Sequence, residues 1–379
     1  MKSKVLKFTL FLLLIAPVSI FFHDDQLSAG GRTYIQKVSC DSKSPQAFWH
    51  TKSVYNKEDY KRALELVQKY SDGGGYTLMH SVKLGKKYCK KQGDELMTFL
   101  SLLANFKQSE EMKKVMAQIP AGSFGLTMGF HEITHLFTST AKFDLLGKFK
   151  QKRGNLVLFE VPVGHYSSFF LDTWGTHHLE HTAYYDSQKI TEILPANKFS
   201  GSRYDKYITG DPSSASRQDG IYGLLNEYHA YFHGAYFVNN MHKAGVEKSY
   251  ANEYTAFAEF TLFILKYLDY AKKNQPNVYK SNMKQKELME TFVRIHDRFE
   301  PVFCERAADY NKNDQKVSNY RKLGEVTYKG RSCSVTLDVF ETKSGKSSNF
   351  AKEMENYLIE LQKPEMVEMM KEARKVAGL

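Results

Sequence analysis

Two histidines four residues apart, with a glutamate directly after the first, are the residues of this chain best suited to metal chemistry: His131-Glu132-Ile133-Thr134-His135. The stretch from Phe124 to Ser139 that contains them reads as a helix, with apolar flanks at Leu126, Met128, Phe130, Leu136 and Phe137. Helical residues four apart sit above one another, so both imidazoles present to one point and Glu132 stands beside it. A zinc hydrolase needs three protein ligands, an open position for water and a carboxylate that takes the proton from that water. The elements around this helix must therefore deliver a third ligand and a donor for the charge that develops in the transition state.

The HExxH pattern resembles that of the zincin metallopeptidases. The metzincin continuation, HExxHxxGxxH, is excluded, because Thr138 and Ala141 stand where its Gly and His would be. The resemblance is to the gluzincin branch, in which the third ligand is a Glu on a later helix, often after Asn and with a small residue one turn on. Asn226-Glu227 with Ala230 fits that description. The resemblance spans about residues 120–245 and implies Zn2+ held by His131, His135 and Glu227, with Glu132 as the base. Glu227 follows His135 by 92 residues, a longer gap than in thermolysin-like members, and the added length carries a second histidine cluster. Gluzincin-like enzymes supply a Tyr or His to the oxyanion. Tyr222 is the first candidate for that role, with His178 and Tyr207 behind it.

The second cluster competes. His177-His178-Leu179-Glu180-His181 matches HxxEH, the reversed motif of the inverzincins. That reading makes His177 and His181 ligands and Glu180 the base, with Glu253 or Glu259 completing the set, and it needs Thr176 to Ser187 to be helical. A third reading has one of these histidines line the first site. His229 and His233 are also four apart, on a different helical face from Glu227, and read as supporting or structural residues.

Taken in order, the chain begins with Lys2, Lys4 and Lys7, an apolar run from Phe8 to Phe22, and a small-residue segment at Leu27-Ser28-Ala29. This is a signal-peptide layout over residues 1–29, with retention as an anchor left open, and it implies an exported, periplasmic or secreted protein. A polar lead with Cys40 and Trp49-His50 follows. Helices are expected from Asn56 to the glycines at 73–75, from Asp94 to Phe106 and from Ser109 to Gln118. Asn155 to Val163 reads as a strand. Phe199 to Gly220, dense in Gly, Ser, Asp, Arg and Tyr, reads as a long loop that could gate a cleft. Helices are expected over Ile221 to Lys243, Tyr250 to Lys272 and Lys284 to Phe303, then a hairpin over Val326 to Val339 and a final helix from Asn349 to Val376. The Tyr250 helix carries Glu253, Glu259, Lys266 and Asp269, which makes it buried core and not a membrane span.

The expected fold is α+β and mainly helical, a zincin-like catalytic core at 120–248 between a helical region at 30–119 and a helical region with a small hairpin at 249–379. The four cysteines, Cys40, Cys89, Cys304 and Cys333, suit an oxidising compartment, and their grouping favours Cys40–Cys89 and Cys304–Cys333 among three connectivities. The net charge of +11 lies outside the histidine-rich segment, since residues 131–242 hold ten Lys or Arg and eleven Asp or Glu. That basic exterior is compatible with acidic envelope surfaces, although solvated lysines are the plainer reading, and nothing resembles a nucleic-acid module. The expected function is amide hydrolysis by a zinc metallopeptidase acting on a protein, peptide or peptidoglycan-type substrate. The alternative is a non-catalytic metal- or protein-binding envelope protein.

Overall fold

A computed structural model describes residues 33–39, 57–71, 74–88, 97, 130–138, 141, 146–154, 156–162, 164–171, 175–199, 202–245, 252–314, 320–342 and 350–379. The signal segment at 1–29, Cys40, Cys89, Trp49-His50 and the expected helices at 94–106 (Met97 apart) and 109–118 lie outside the described residues. The chain is mainly helical with small antiparallel sheets, and it divides into two compact units, Met1–Phe170 and Leu171–Leu379. That division falls inside the 120–248 segment.

In the first unit the strand β1 (Thr33–Ser39) precedes two helices, α1 (Lys57–Tyr70) and α2 (Gly74–Tyr88). Helix α1 ends at Tyr70, ahead of the glycines expected to stop it, and Gly74 and Gly75 open α2, which the sequence reading did not include. Residues 130–138 form the motif helix, α3. Three strands follow: β2 (Lys148–Arg153), β3 (Leu156–Pro162) and β4 (Tyr166–Phe170). Strand β3 lies between β1 and β2, antiparallel to both, with Gln36 opposite Phe159 and Lys152 opposite Val157. Val157, Phe159 and Val161 alternate along β3 and are buried, the period-two signature of a strand with one covered face. Tyr88 packs edge-on against Phe159 with ring centroids 4.8 Å apart and stacks on Phe149, while the Lys152 ammonium donates to the Tyr88 carbonyl at 3.0 Å.

The second unit opens with β5 (Thr176–Glu180). The helix expected over Thr176 to Ser187 is thus replaced by a strand and a following connection, and only Ser187–Glu192 winds, as a 3-10 turn capped by Asp186. The expected loop from Phe199 to Gly220 is also corrected. It contains the short helices α5 (Ser202–Tyr207) and α6 (Ala215–Gln218), preceded by α4 (Ala196–Phe199). They are held by tertiary anchors: the Tyr204 hydroxyl donates to the Leu194 carbonyl at 2.5 Å, and Arg217 pairs with Asp186 at 2.8 Å.

Helix α7 (Gly220–Lys243) begins at a glycine with φ of +53°, where any side chain would meet the Tyr185 carbonyl and the Tyr267 hydroxyl. Helix α8 (Ala256–Asn274) follows, and every residue from Ala256 to Ala271 is buried. None of the described helices is long and apolar enough to cross a membrane. α8 is instead the centre of a helical core completed by α9 (Pro276–Lys284) and α10 (Lys286–Asp314). Phe257, Phe260, Phe263, Phe292, Phe299 and Phe303 fill that core, each worth about 1.5–3 kcal/mol when fully buried.

The expected hairpin is present as β6 (Tyr320–Lys329) and β7 (Ser334–Thr342), with Val326 opposite Leu337. Its turn is fixed to α10 twice. Cys304 and Cys333 form the expected bridge. The Glu300 carboxylate accepts from the Tyr328 hydroxyl at 2.6 Å, the Ser332 amide at 2.8 Å and the Arg331 amide at 3.0 Å. Gly330 leaves room for that carboxylate, into which a Cβ would collide. The final helix breaks in two, α11 (Phe350–Leu361) and α12 (Pro364–Ala377), because a helix does not run smoothly through the residue before a proline.

Candidate functional site

Helix α3 is covered on nearly all sides. Phe130, Ile133 and Phe137 are buried, and Phe137 meets His80 edge-on with ring centroids 5.3 Å apart. Its two threonines are kept satisfied within the helix, Thr134 donating to the Phe130 carbonyl at 2.9 Å and Thr138 to the Thr134 carbonyl at 3.0 Å. The remaining face carries His131 and His135, 7% and 8% exposed. Their Nε2 atoms lie 3.0 Å apart and the rings stand nearly perpendicular, at 84°.

Two imidazole nitrogens each about 2.0–2.1 Å from one ion are roughly 2.9–3.3 Å apart for bond angles from a right angle to tetrahedral. The His131–His135 pair has that separation, so its donors fit a shared divalent metal. Glu132, on the same turn, is half-buried, a position from which a carboxylate can meet both water and the histidine face.

Glu227 belongs to the second unit. It lies on α7 and is 7% exposed, and Ala230, the small residue one turn on, is fully buried. Tyr231 follows it by one helical turn, and the Tyr231 hydroxyl meets that of Tyr207 at 2.9 Å. Burial pushes the Tyr207 phenol well above its ordinary value, and the Glu227 charge adds to the push. The sequence reading held Tyr207 as a reserve candidate and gave Tyr231 no role. Spacing was the available signal, since Glu227 and Tyr231 are four apart.

His229 and His233, also on α7, repeat the geometry of the first pair with Nε2 atoms 3.0 Å apart and rings at 86°. A nitrogen contact of this kind is therefore a property of buried histidines at helical spacing, and the accompanying groups decide its meaning. Ala230 stands where the first pair has Glu132. Among the described residues no third His, Cys, Asp or Glu joins His229 and His233 as a metal ligand.

The reversed motif loses its helical premise. On a strand, residues 177 and 181 are about 13 Å apart along the chain direction, too far to converge on one ion. His177 Nδ1 instead contacts the Thr291 hydroxyl at 3.0 Å, while the His181 ring stacks on Tyr222 with centroids 4.1 Å apart. Glu259, one of the acids offered to that site, is bound to Arg203 at 2.6 Å. Glu253, the other, is buried, and that burial raises its carboxyl.

Tyr222 is fully buried. Its hydroxyl receives the Thr182 amide at 3.0 Å, meets the Thr182 hydroxyl at 2.9 Å and donates to the Gln285 side chain at 2.7 Å. Those contacts make it a strut joining the segment after β5 to the α9–α10 corner. His178 lies on β5, half-buried, and burial followed by the neighbouring His177 charge lowers its ring. No protein-family model matches the chain, and no curated protein and no solved structure matches it.

Proposed function

We propose that the protein is a metal-dependent hydrolase, a zinc peptidase of gluzincin type, with His131, His135 and Glu227 as ligands and Glu132 as the base. The observation that carries this reading is the His131–His135 pair, two buried imidazoles facing one point with a carboxylate at the next position. His131 and His135 in the first unit and Glu227 in the second are each buried. Two imidazoles and a carboxylate form the donor set that suits catalytic zinc, which leaves a position open.

Such a metal, when bound, lowers the pKa of water and polarises a substrate carbonyl. The protein's own contribution is positional. The apolar faces of α3 fix both rings, so that ligand geometry is set before any ion arrives. Glu132 accepts the proton from the attacking water and returns it to the leaving nitrogen, the two halves of amide cleavage that need a single carboxylate. The hydroxyls of Tyr222 and of the Tyr207–Tyr231 pair are engaged, which favours His178 as the source of oxyanion stabilisation. An exported protein of this kind would meet protein, peptide or peptidoglycan-type amides.

The test is metal content and hydrolysis measured together. The mature chain should carry about one zinc per molecule and cleave a mixed peptide library read by mass spectrometry. Glu132→Gln should keep the metal and lose about 10²–10⁴ of the turnover. A chain that holds no stoichiometric metal after supplementation overturns the assignment, and a wild type that holds metal without Glu132-dependent hydrolysis leaves a metal-binding protein.

A further inference from the structure

A buried polar chain within the second unit ends at Tyr231, one helical turn beyond Glu227 on α7. At its far end Arg203, 13% exposed, donates from Nη1 to Glu259 Oε2 and to Thr255 Oγ1, both at 2.6 Å. The same guanidinium lies over the Tyr231 ring, 4.5 Å from its centroid. Tyr231 in turn shares its hydroxyl contact with Tyr207, and Phe260 packs 5.4 Å from both rings, closing the pair off on that side. Side chains on a helix lean toward its N-terminus, so Tyr231 covers the turn that holds Glu227.

We propose that Tyr207 and Tyr231, held from behind by the Arg203–Glu259 ion pair, position the Glu227 carboxylate for a divalent cation and set how tightly it is held. The proposal rests on the ligand role given to Glu227 above and assigns a task to residues that role does not include. Two phenols carry two protons and use one between them, so the pair can donate the other to an adjacent acceptor. A guanidinium stacked on one ring favours that donation, because it stabilises negative charge developing on the phenol oxygen. Glu259 neutralises the guanidinium, so the buried cation polarises Tyr231 without competing for Glu227. Groups that orient a ligand in this way change metal affinity by about 10- to 100-fold when altered.

The decisive experiment titrates the metal-free chain with zinc against a chromophoric chelator, comparing wild type with Tyr231→Phe, Tyr207→Phe and Tyr228→Phe. Tyr228 lies on the same helix and its hydroxyl makes an equivalent buried contact, to Thr261 at 2.9 Å, so it controls for general loosening. Thermal unfolding of each metal-free variant is recorded alongside. The expected result is zinc affinity weakened by about 10- to 100-fold in Tyr231→Phe and Tyr207→Phe, with Tyr228→Phe binding as wild type does. Wild-type affinity in both variants overturns the proposal and leaves the ligand assignment standing. An equal loss in Tyr228→Phe also overturns it, by showing a packing effect. A wild type that binds no zinc overturns the ligand assignment and this proposal together.

Discussion

The Tyr222 hydroxyl donates to the Gln285 side chain at 2.7 Å, and the amide of that same side chain donates to the Glu180 carbonyl at 2.7 Å. The two residues thus clamp the end of β5 to the corner between α9 and α10. Tyr222→Phe should cost about 1–3 kcal/mol of stability, the price of leaving the Thr182 amide and Gln285 short of a partner. Hydrolysis should be unchanged. Urea unfolding and peptide turnover on the same preparation check both halves, and a large loss of turnover with normal stability would return Tyr222 to the catalytic set.

The histidine pair makes a separate prediction about stability. A metal that binds only the folded chain stabilises it, by about 4 kcal/mol when its concentration is a thousandfold above the dissociation constant. Chelation should therefore lower the wild-type unfolding midpoint. His131→Ala and His135→Ala should start from the lower midpoint and show no further drop. Differential scanning fluorimetry with and without chelator reads this, and a midpoint in His135→Ala that still falls on chelation would place the metal elsewhere.

Glu300 supplies a pH dependence in the carboxylate range. Burial alone would raise its carboxyl, but hydrogen bonds from Ser332 and Tyr328 and the nearby His296 outweigh burial and leave it lowered. A carboxyl lowered on folding contributes stability that is full above the unfolded value of about 4.3 and disappears as the pH falls toward the folded value. The hairpin should thus be lost in acid before the α7–α8 core. Glu300→Gln should cost about 2 kcal/mol or more at neutral pH and flatten the acid limb of a stability–pH curve.

The Cys304–Cys333 bridge closes a separation of 29 residues, and a loop of that length is worth about 3–4 kcal/mol in the chain-entropy account. Unfolding with and without reductant should differ by that amount. The metal content of the reduced protein should be unchanged, because the bridge ties α10 to the β6–β7 turn and includes none of the ligand residues.

Elements whose signal is local were readable in the sequence: β3 from its alternating Leu, Val and Phe, α7 and α8 from their length and periodicity, the hairpin from Lys329-Gly330, and α3 from a motif with apolar flanks. Strands β1 and β2 were not. Thr33–Ser39 and Lys148–Arg153 become strands because β3 lies between them, and for β1 that partner is more than a hundred residues away. The lysines of β2 look like a solvated charge run and also suit the rim of a small sheet, where they discourage further pairing. Short helices α5 and α6 escaped for a related reason, since Tyr204 and Arg217 hold them through distant partners. At the candidate site, spacing identified the histidine pair, but no local pattern joins Arg203 to Tyr231. That link exists only after α5 and α7 have packed.

The strand at Thr176–Glu180 has a consequence for acid behaviour. Alternate residues of a strand face opposite sides, so His177 and His178, adjacent in sequence, occupy separate surroundings. His177 looks toward α10, where Thr291, Glu290 and Arg294 surround it, and burial outweighs the Glu290 charge to lower its ring. Burial lowers His178 on the other side. Both rings therefore resist protons that the unfolded chain takes up near pH 6.5, and each subtracts stability as the pH falls through that value. Two neighbouring histidines thus act as acid sensors on opposite faces of one strand, the His177 charge also bearing on His178, and each weakens the fold well before Glu300 begins to titrate.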